Sequence, residues 1–227
     1  MSPRPSPHAA AAAYRPDIDG LRAIAVISVV LYHAFPGLLP GGFAGVDVFF
    51  VISGFLIGGI LIDAHANGTF TYRDFYTRRV RRLFPALVVV LAVVLLVGFF
   101  LLMPSAYRTL GKHVLAGAGF ASNLVLLKES GYFDTASALK PLLHLWSLGV
   151  EEQFYILCPL VLAAFWRSRL SLPVAILLFA LASFAVGLYW LDQAPKKAFF
   201  HPAARFWELF AGVWLAAWQR QSAAAGI

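Results

Sequence analysis

Long apolar stretches, broken by short polar or Pro/Gly-rich connections, run the length of the chain. Seven stand out: Leu21–Phe35, Phe43–Ile62, Phe84–Met103, Val114–Leu127, Leu142–Trp166, Leu172–Leu191 and Ala203–Trp218. Phe84–Met103 carries no charge and is long enough as a helix to cross a hydrocarbon core of about 30 Å. Pro173–Leu191 is a second run of this kind. The pattern predicts an all-α, polytopic transmembrane helical bundle. Pro36-Gly37-Leu38-Leu39-Pro40-Gly41-Gly42 is a breaker cluster that turns the chain between the first two segments. Asp63–Leu83 reads as the main polar loop and Lys128–Pro141 as a second polar connection.

Composition agrees with this class. The 227 residues are 60% hydrophobic and 13% charged, where a soluble domain carries about 25% charged residues. The net charge of +7 would suggest nucleic acid in a soluble chain. Here the cations gather in loops, as positive-inside topology requires, so a membrane partner is expected and a nucleic-acid partner is not. Arg4, Arg15 and Arg22 precede the first span and the arginine loop follows the second, which puts the N-terminus on the cytoplasmic side. The glycine-weakened Val114–Leu127 leaves two later topologies open. The charge rule favours a re-entrant segment, with Arg167 and Arg169 inside. Residues 1–13 read as a disordered Pro/Ala/Ser tail and 221–227 as a second tail. The lone Cys158 reads as packing.

Candidate chemistry lies where polar groups enter apolar helices. Arg22 and His33 are eleven residues apart, on one helical face and roughly 16 Å apart along the axis. An ionisable residue inside a membrane helix is a candidate functional group, and histidine titrates near neutral pH, as a general base must. The plain alternative is a His33 bonded to a neighbouring helix. Asp47, fourteen residues beyond His33, is expected either to orient that imidazole or to cap the second helix.

Arg78, Arg79, Arg81 and Arg82 place four arginines within five residues, directly before a span. Topology and anionic lipid headgroups explain such a run. A phosphate site, as for an acyl-CoA donor, also explains it. His144, Ser147, Glu151 and Tyr155 recur at i, i+3, i+7 and i+11, which puts them on one face of a helix. The adjacent carboxylates Glu151 and Glu152 need partners or a wet cavity, and either is expected to act in catalysis by positioning acceptor hydroxyls or relaying a proton. Arg205 and Glu208 read as a self-neutralising i,i+3 pair. Neither Ser53 nor Ser147 sits in a nucleophile elbow; Ser53, His144, Ser147 and Tyr155 are read as acceptor-binding or cavity-lining, and no HExxH or CxxC pattern predicts a metal.

Taken in order, several motifs resemble the acyltransferase-3 family of bacterial inner-membrane acyltransferases. They are Tyr14-Arg-Pro-Asp-Ile-Asp-Gly-Leu-Arg22, the Arg22 to His33 spacing, Gly45-Val-Asp-Val-Phe-Phe-Val-Ile-Ser-Gly-Phe55, Arg78-Arg-Val-Arg-Arg82 and His144-Leu-Trp-Ser-Leu-Gly-Val-Glu-Glu-Gln-Phe-Tyr155. The resemblance implies transfer of an acyl group, expected to be acetyl, from cytoplasmic acyl-CoA to a hydroxyl of a surface glycan such as O-antigen or peptidoglycan. Acetyl-CoA would be a substrate, and no bound cofactor is implied. The family's essential histidine falls on His33, its essential basic residue on Arg22, and its R-x-x-R motif on Arg79 and Arg82, overlapped by Arg78 and Arg81.

The Tyr-Arg-Pro-Asp-Ile-Asp-Gly opening is most similar to members fused to a periplasmic SGNH-type domain. The family carries roughly ten bilayer-length spans against the seven placed here. Residues 14–220 therefore read as a membrane domain that is incomplete at its C-terminal end. The rival readings are a transporter of protons or glycan lipids, or an inactive remnant.

Overall fold

The computed structural model describes residues 15–35, 37–129, 140–166 and 171–225, with side chains through residue 222. The expected N-terminal tail, Asp134 in the second polar connection, Arg167 and Arg169 lie outside the described residues. Among the described residues all regular structure is helical: α1 (Pro16–Ala34), a single 3₁₀ turn (Gly42–Ala44), α2 (Gly45–Ala66), α3 (Tyr72–Leu101), α4 (Pro104–Ala118), α5 (Ser122–Lys128), α6 (Leu145–Trp166), α7 (Leu172–Gln193), α8 (Pro195–Phe200) and α9 (Pro202–Ala225). Proline opens the first turn of α1, α4, α7 and α8, where its missing N–H costs nothing and its fixed φ is already helical.

Among the described residues four helices are long and apolar enough to cross a membrane: α2 with its leading 3₁₀ turn, α3, α6 and α7. The seven expected segments are therefore not seven equivalent spans. α1 and α9 have comparable length, but α1 carries Asp17, Asp19 and Arg22, and α9 carries Arg205, Glu208 and Arg220. Val114–Leu127 is two helices, α4 and α5, broken at Gly119–Ala121. Phe120 takes the left-handed φ of 53° at the break, an uncommon conformation for a residue with a side chain.

The arginine loop is also corrected, because Arg73, Arg78, Arg79, Arg81 and Arg82 are helical and form the first third of α3. The cause is the start signal at Thr71: its hydroxyl oxygen accepts from the Asp74 N–H at 3.3 Å, and its own proton goes to the Asp74 carboxylate at 2.6 Å. Arginine is a good helix former, so the helix runs through the cluster and past Pro85 into the apolar stretch. At the other end of the chain, α9 is helical through Ala225, beyond the expected start of a tail at 221.

The main core is shared by α2, α6, α7 and α9 and centres on Phe50, Leu61, Phe154, Cys158, Ile176 and Phe210. Two glycines set the α2–α9 distance. A Cβ on Gly54 would lie 1.9 Å from the Leu209 carbonyl oxygen, and one on Gly212 would lie 2.0 Å from that of Val51. Such backbone contact needs residues without side chains. α1 seats on α2 in the same way, with Gly42 against the Ser28 carbonyl and Gly45 against that of Ala25. A smaller cluster, Leu87, Leu91, Leu110, Leu142 and Leu145, joins α3, α4 and the start of α6. The outer faces of α3 and α7, including Val89, Leu96, Phe100, Leu178 and Leu188, are exposed, as lipid-facing surfaces are.

Candidate active site

A cavity of about 360 Å³ lies between α1, α2 and α6. α1 contributes Val26 and Val29, α2 contributes Val46 and Phe49, and the α6 side contributes His144, Ser147 and Glu151. Arg22, Val26, Val29 and His33 follow an i, i+4, i+7, i+11 spacing, which is one helical face. The α1 wall of the cavity is thus flanked along the helix by Arg22 and His33, although neither belongs to the lining.

The Arg22 guanidinium lies 5.2 Å from the centre of the Phe49 ring, a cation–π distance, and 3.9 Å from Asp19. His33 is exposed, with its Nδ1 2.8 Å from the Val29 carbonyl oxygen. A carbonyl only accepts, so Nδ1 carries the proton and Nε2 of the neutral ring keeps a basic lone pair.

Along α6 the expected polar stripe divides. His144, Ser147 and Glu151 face the cavity, with the Ser147 hydroxyl donating to the His144 carbonyl at 3.1 Å. Glu151 also reaches into the bundle. One of its carboxylate oxygens accepts from the Ser53 hydroxyl and from the Tyr155 hydroxyl, and those two hydroxyls touch each other. Tyr155 is fully buried, and its backbone carbonyl accepts from the Tyr76 hydroxyl at 3.1 Å.

The four clustered arginines are not equivalent. Arg78, Arg81 and Arg82 are exposed. Arg79 turns inward, its guanidinium carbon 3.3 Å from the Tyr155 ring centre and its Nη1 3.4 Å from Glu152. Its Nη1 is committed to Glu152 and its Nε is buried without a hydrogen-bond partner, so the four arginines, expected together as phosphate ligands, divide into three exposed and one turned inward.

Asp47, expected to orient His33 or to cap α2, is engaged by a different helix. Its carboxylate accepts from Arg205 Nη2, while Arg205 Nη1 lies 3.1 Å from the fully buried Glu208. The Arg205 guanidinium sits among Phe50, Trp146 and Phe199 at 5.7–5.8 Å from their ring centres. The reason is packing: α9 lies along α2, and a cation brought into that apolar contact needs a carboxylate beside it. Glu208 supplies one and Asp47 the other, so the pair read as self-neutralising is part of an interhelical cluster.

The family profile for the acyltransferase-3 acyltransferase domain matches residues 15–226. The chain belongs to the acyltransferase-3 family. It is 37% identical over 210 residues to the peptidoglycan O-acetyltransferase OatA of Listeria monocytogenes, a match covering 89% of this chain and 34% of OatA. It is 37% identical over 212 residues to Bacillus subtilis YrhL, provisionally named a peptidoglycan O-acetyltransferase, covering 89% of this chain and 33% of YrhL. A provisionally named O-acetyltransferase of Staphylococcus aureus, SAS0844, is 36% identical over 211 residues, with 89% and 34% covered. The chain thus spans about a third of the length of the relatives it matches. No solved structure matches.

This acyltransferase-3 chain also uses polar groups that sequence reasoning missed. Gln153 donates to the carbonyl of left-handed Phe120 at 2.8 Å and to Asn123 at 2.9 Å, and Asn123 donates to the Phe200 carbonyl at 3.1 Å. This network pins the α4–α5 break to α6 and α8. Glu129 gathers Lys112 at 2.7 Å, His113 at 3.0 Å and Lys140 at 3.2 Å. Burial pushes the Glu129 carboxyl up, but the bonds from Lys112 and Lys140 and the charge of His113 outweigh it and hold the group below its ordinary value. The available signal for the first network was Gln153 itself, an amide following two carboxylates into an apolar helix, which cannot stay unbonded there.

Proposed function

We propose that this chain is the membrane acyl-transfer part of an O-acetyltransferase. It moves an acetyl group from cytoplasmic acetyl-CoA to a hydroxyl of a cell-envelope glycan, of the peptidoglycan class named for the relatives. The observation that carries the reading is the α1 face on which Arg22 and His33 flank the cavity. The donor's phosphates meet Arg78, Arg81 and Arg82, and its thioester is drawn toward the cavity past Arg22. His33 Nε2 takes the proton of the acceptor hydroxyl as that oxygen attacks the thioester carbonyl. The C–S bond then breaks, and the departing thiolate receives the proton from the imidazolium. Ser53, Glu151 and Tyr155 hold the acceptor side in place. Arg79 acts through Tyr155 and Glu152 and is a positioning residue.

The test uses radiolabelled acetyl-CoA and membranes carrying the full-length protein, with peptidoglycan fragments and O-antigen as alternative acceptors. A His33→Ala variant is expected to lose transfer by several orders of magnitude. Undiminished transfer overturns the reading.

A further inference from the structure

A second cavity of about 360 Å³ lies far from the first, where the end of α2, the turn into α3 and the end of α6 meet. Its walls are aromatic. The His65 ring stacks on Phe70 with centres 4.6 Å apart and planes 21° apart, and lies 5.9 Å from Trp166 at 36°. Tyr72 meets Phe70 edge-on at 4.9 Å.

His65 Nδ1 lies 2.9 Å from the Leu61 carbonyl oxygen, so it carries the proton and Nε2 is left as an acceptor. Trp166 and Tyr72 are 45% and 43% exposed and offer free ring surface. Gly68 completes the wall with φ +64° and open space where a Cβ would stand. Its left-handed turn is what brings Phe70 back over His65.

Interfacial tryptophan and tyrosine belts face headgroups around a membrane protein. Here four rings, from three helices and the turn between two of them, converge on one pocket beside a run of arginines. Arg73 follows Tyr72, and Arg78, Arg81 and Arg82 lie roughly 9–15 Å further along the same helix. A stacking platform next to phosphate-binding forks is how proteins hold a nucleotide, because every base has a π-face. In the other direction, Glu151 and Trp166 are fifteen residues apart on α6, roughly 22 Å along the axis. An extended pantetheine–pyrophosphate arm spans that distance.

We propose that the pocket of His65, Phe70, Tyr72 and Trp166 is a nucleobase site that takes the adenine of the acyl donor. The proposal rests on the acyl-transfer reading above. The base stacks on Trp166, and an exocyclic amine donates to His65 Nε2. The base then anchors the donor at one end of α6 while its thioester reaches the cavity at the other.

The experiment measures equilibrium binding of adenosine 3′,5′-bisphosphate, the nucleotide half of CoA, to the full-length protein in lipid nanodiscs. Acetyl-CoA and ATP serve as competitors. Trp166→Ala is expected to weaken binding roughly tenfold, while Trp166→Phe keeps most of it, as loss or retention of a stacking face predicts. Acetyl-CoA is expected to displace the probe better than ATP. Absence of binding, or binding that Trp166→Ala leaves unchanged (the result for a plain lipid-facing belt), overturns the proposal. Displacement by ATP but not by acetyl-CoA assigns the pocket to a free nucleotide and overturns the donor assignment. His33-dependent acetyl transfer without pocket-dependent binding removes this site and leaves the proposed activity standing. Pocket-dependent displacement by acetyl-CoA without transfer does the reverse.

Discussion

The guanidinium carbon of Arg79 lies over the Tyr155 ring, 3.3 Å from its centre, and Nη1 reaches Glu152 at 3.4 Å. A cation held by a buried ring and a carboxylate is expected to shape a site rather than to bind donor phosphates. Arg79→Ala is therefore expected to lower kcat by about 10- to 100-fold with little change in the KM for acetyl-CoA. Arg82→Ala, at an exposed fork, should raise that KM and spare kcat. Steady-state kinetics on membranes separates the two, and an Arg79 effect confined to KM would restore it to the phosphate ligands.

Glu151 accepts from Ser53 and Tyr155 through one oxygen while its residue lines the cavity. Tyr155→Phe removes one donor and keeps the ring under Arg79. A loss of about tenfold in kcat is expected, close to one hydrogen bond to a charged group. Glu151→Gln should cost more, since an amide cannot accept from both hydroxyls as strongly. Transfer at wild-type rates by both variants would remove this network from the acceptor side.

Asp47 and Arg205 couple α2 to α9 across 158 residues of sequence. Asp47→Asn and Arg205→Gln should each destabilise the protein, and the double variant should fall short of their sum by about 1–2 kcal/mol. Thermal unfolding in detergent supplies the cycle. Additive losses would show that the two side chains do not depend on each other.

Gly54 and Gly212 press on the carbonyls of Leu209 and Val51. Gly54→Ala is expected to force the helices apart and cost about 1–3 kcal/mol, as overpacking does. Gly20→Ala, in helix α1 where nothing lies within 4 Å, is the matched control and should be neutral to stabilising, by up to about 1 kcal/mol. Equal melting temperatures for the two variants would contradict the close packing.

Glu129 gives a pH dependence with a definite sign. Its carboxyl is held below the ordinary 4.5 in the folded protein. The stabilisation is therefore present in full above that value and is lost as pH falls through the lowered one. Stability measured from pH 6 down to pH 3 should decline, and Glu129→Gln should flatten the decline. An identical slope in the variant would assign the acid sensitivity elsewhere.

Much of this was legible in the amino-acid order because lipid imposes a simple rule. Apolar runs of sufficient length gave α2, α6, α7 and the apolar two-thirds of α3. The spacing of His144, Ser147 and Glu151 placed them on the face that lines the cavity, and the spacing of Arg22 and His33 placed both on the α1 face whose Val26 and Val29 line it, one beyond each end of the lining. What a single helix cannot disclose is its partner. Arg78-Arg79-Val80-Arg81-Arg82 does not say which arginine turns inward, because Tyr155 and Glu152 decide that from another helix. Asp47 lay near His33 in sequence, yet Arg205 claimed it through the α2–α9 contact. The left-handed Phe120 was hidden among glycines that would each have seemed a better place for the chain to break.

The seat of α1 on α2 has a consequence for Arg22 and His33. Gly42 and Gly45 lock against the carbonyls of Ser28 and Ala25, which fixes the rotation of α1 about its own axis. Advancing that fit by one residue would turn the helix through about 100°. Arg22, His33 and the face they share with Val26 and Val29 would turn away from the cavity together, with every side chain still present. Two hydrogen atoms, where any other residue would carry a side chain, serve as the index mark that aims the chemistry of the whole helix.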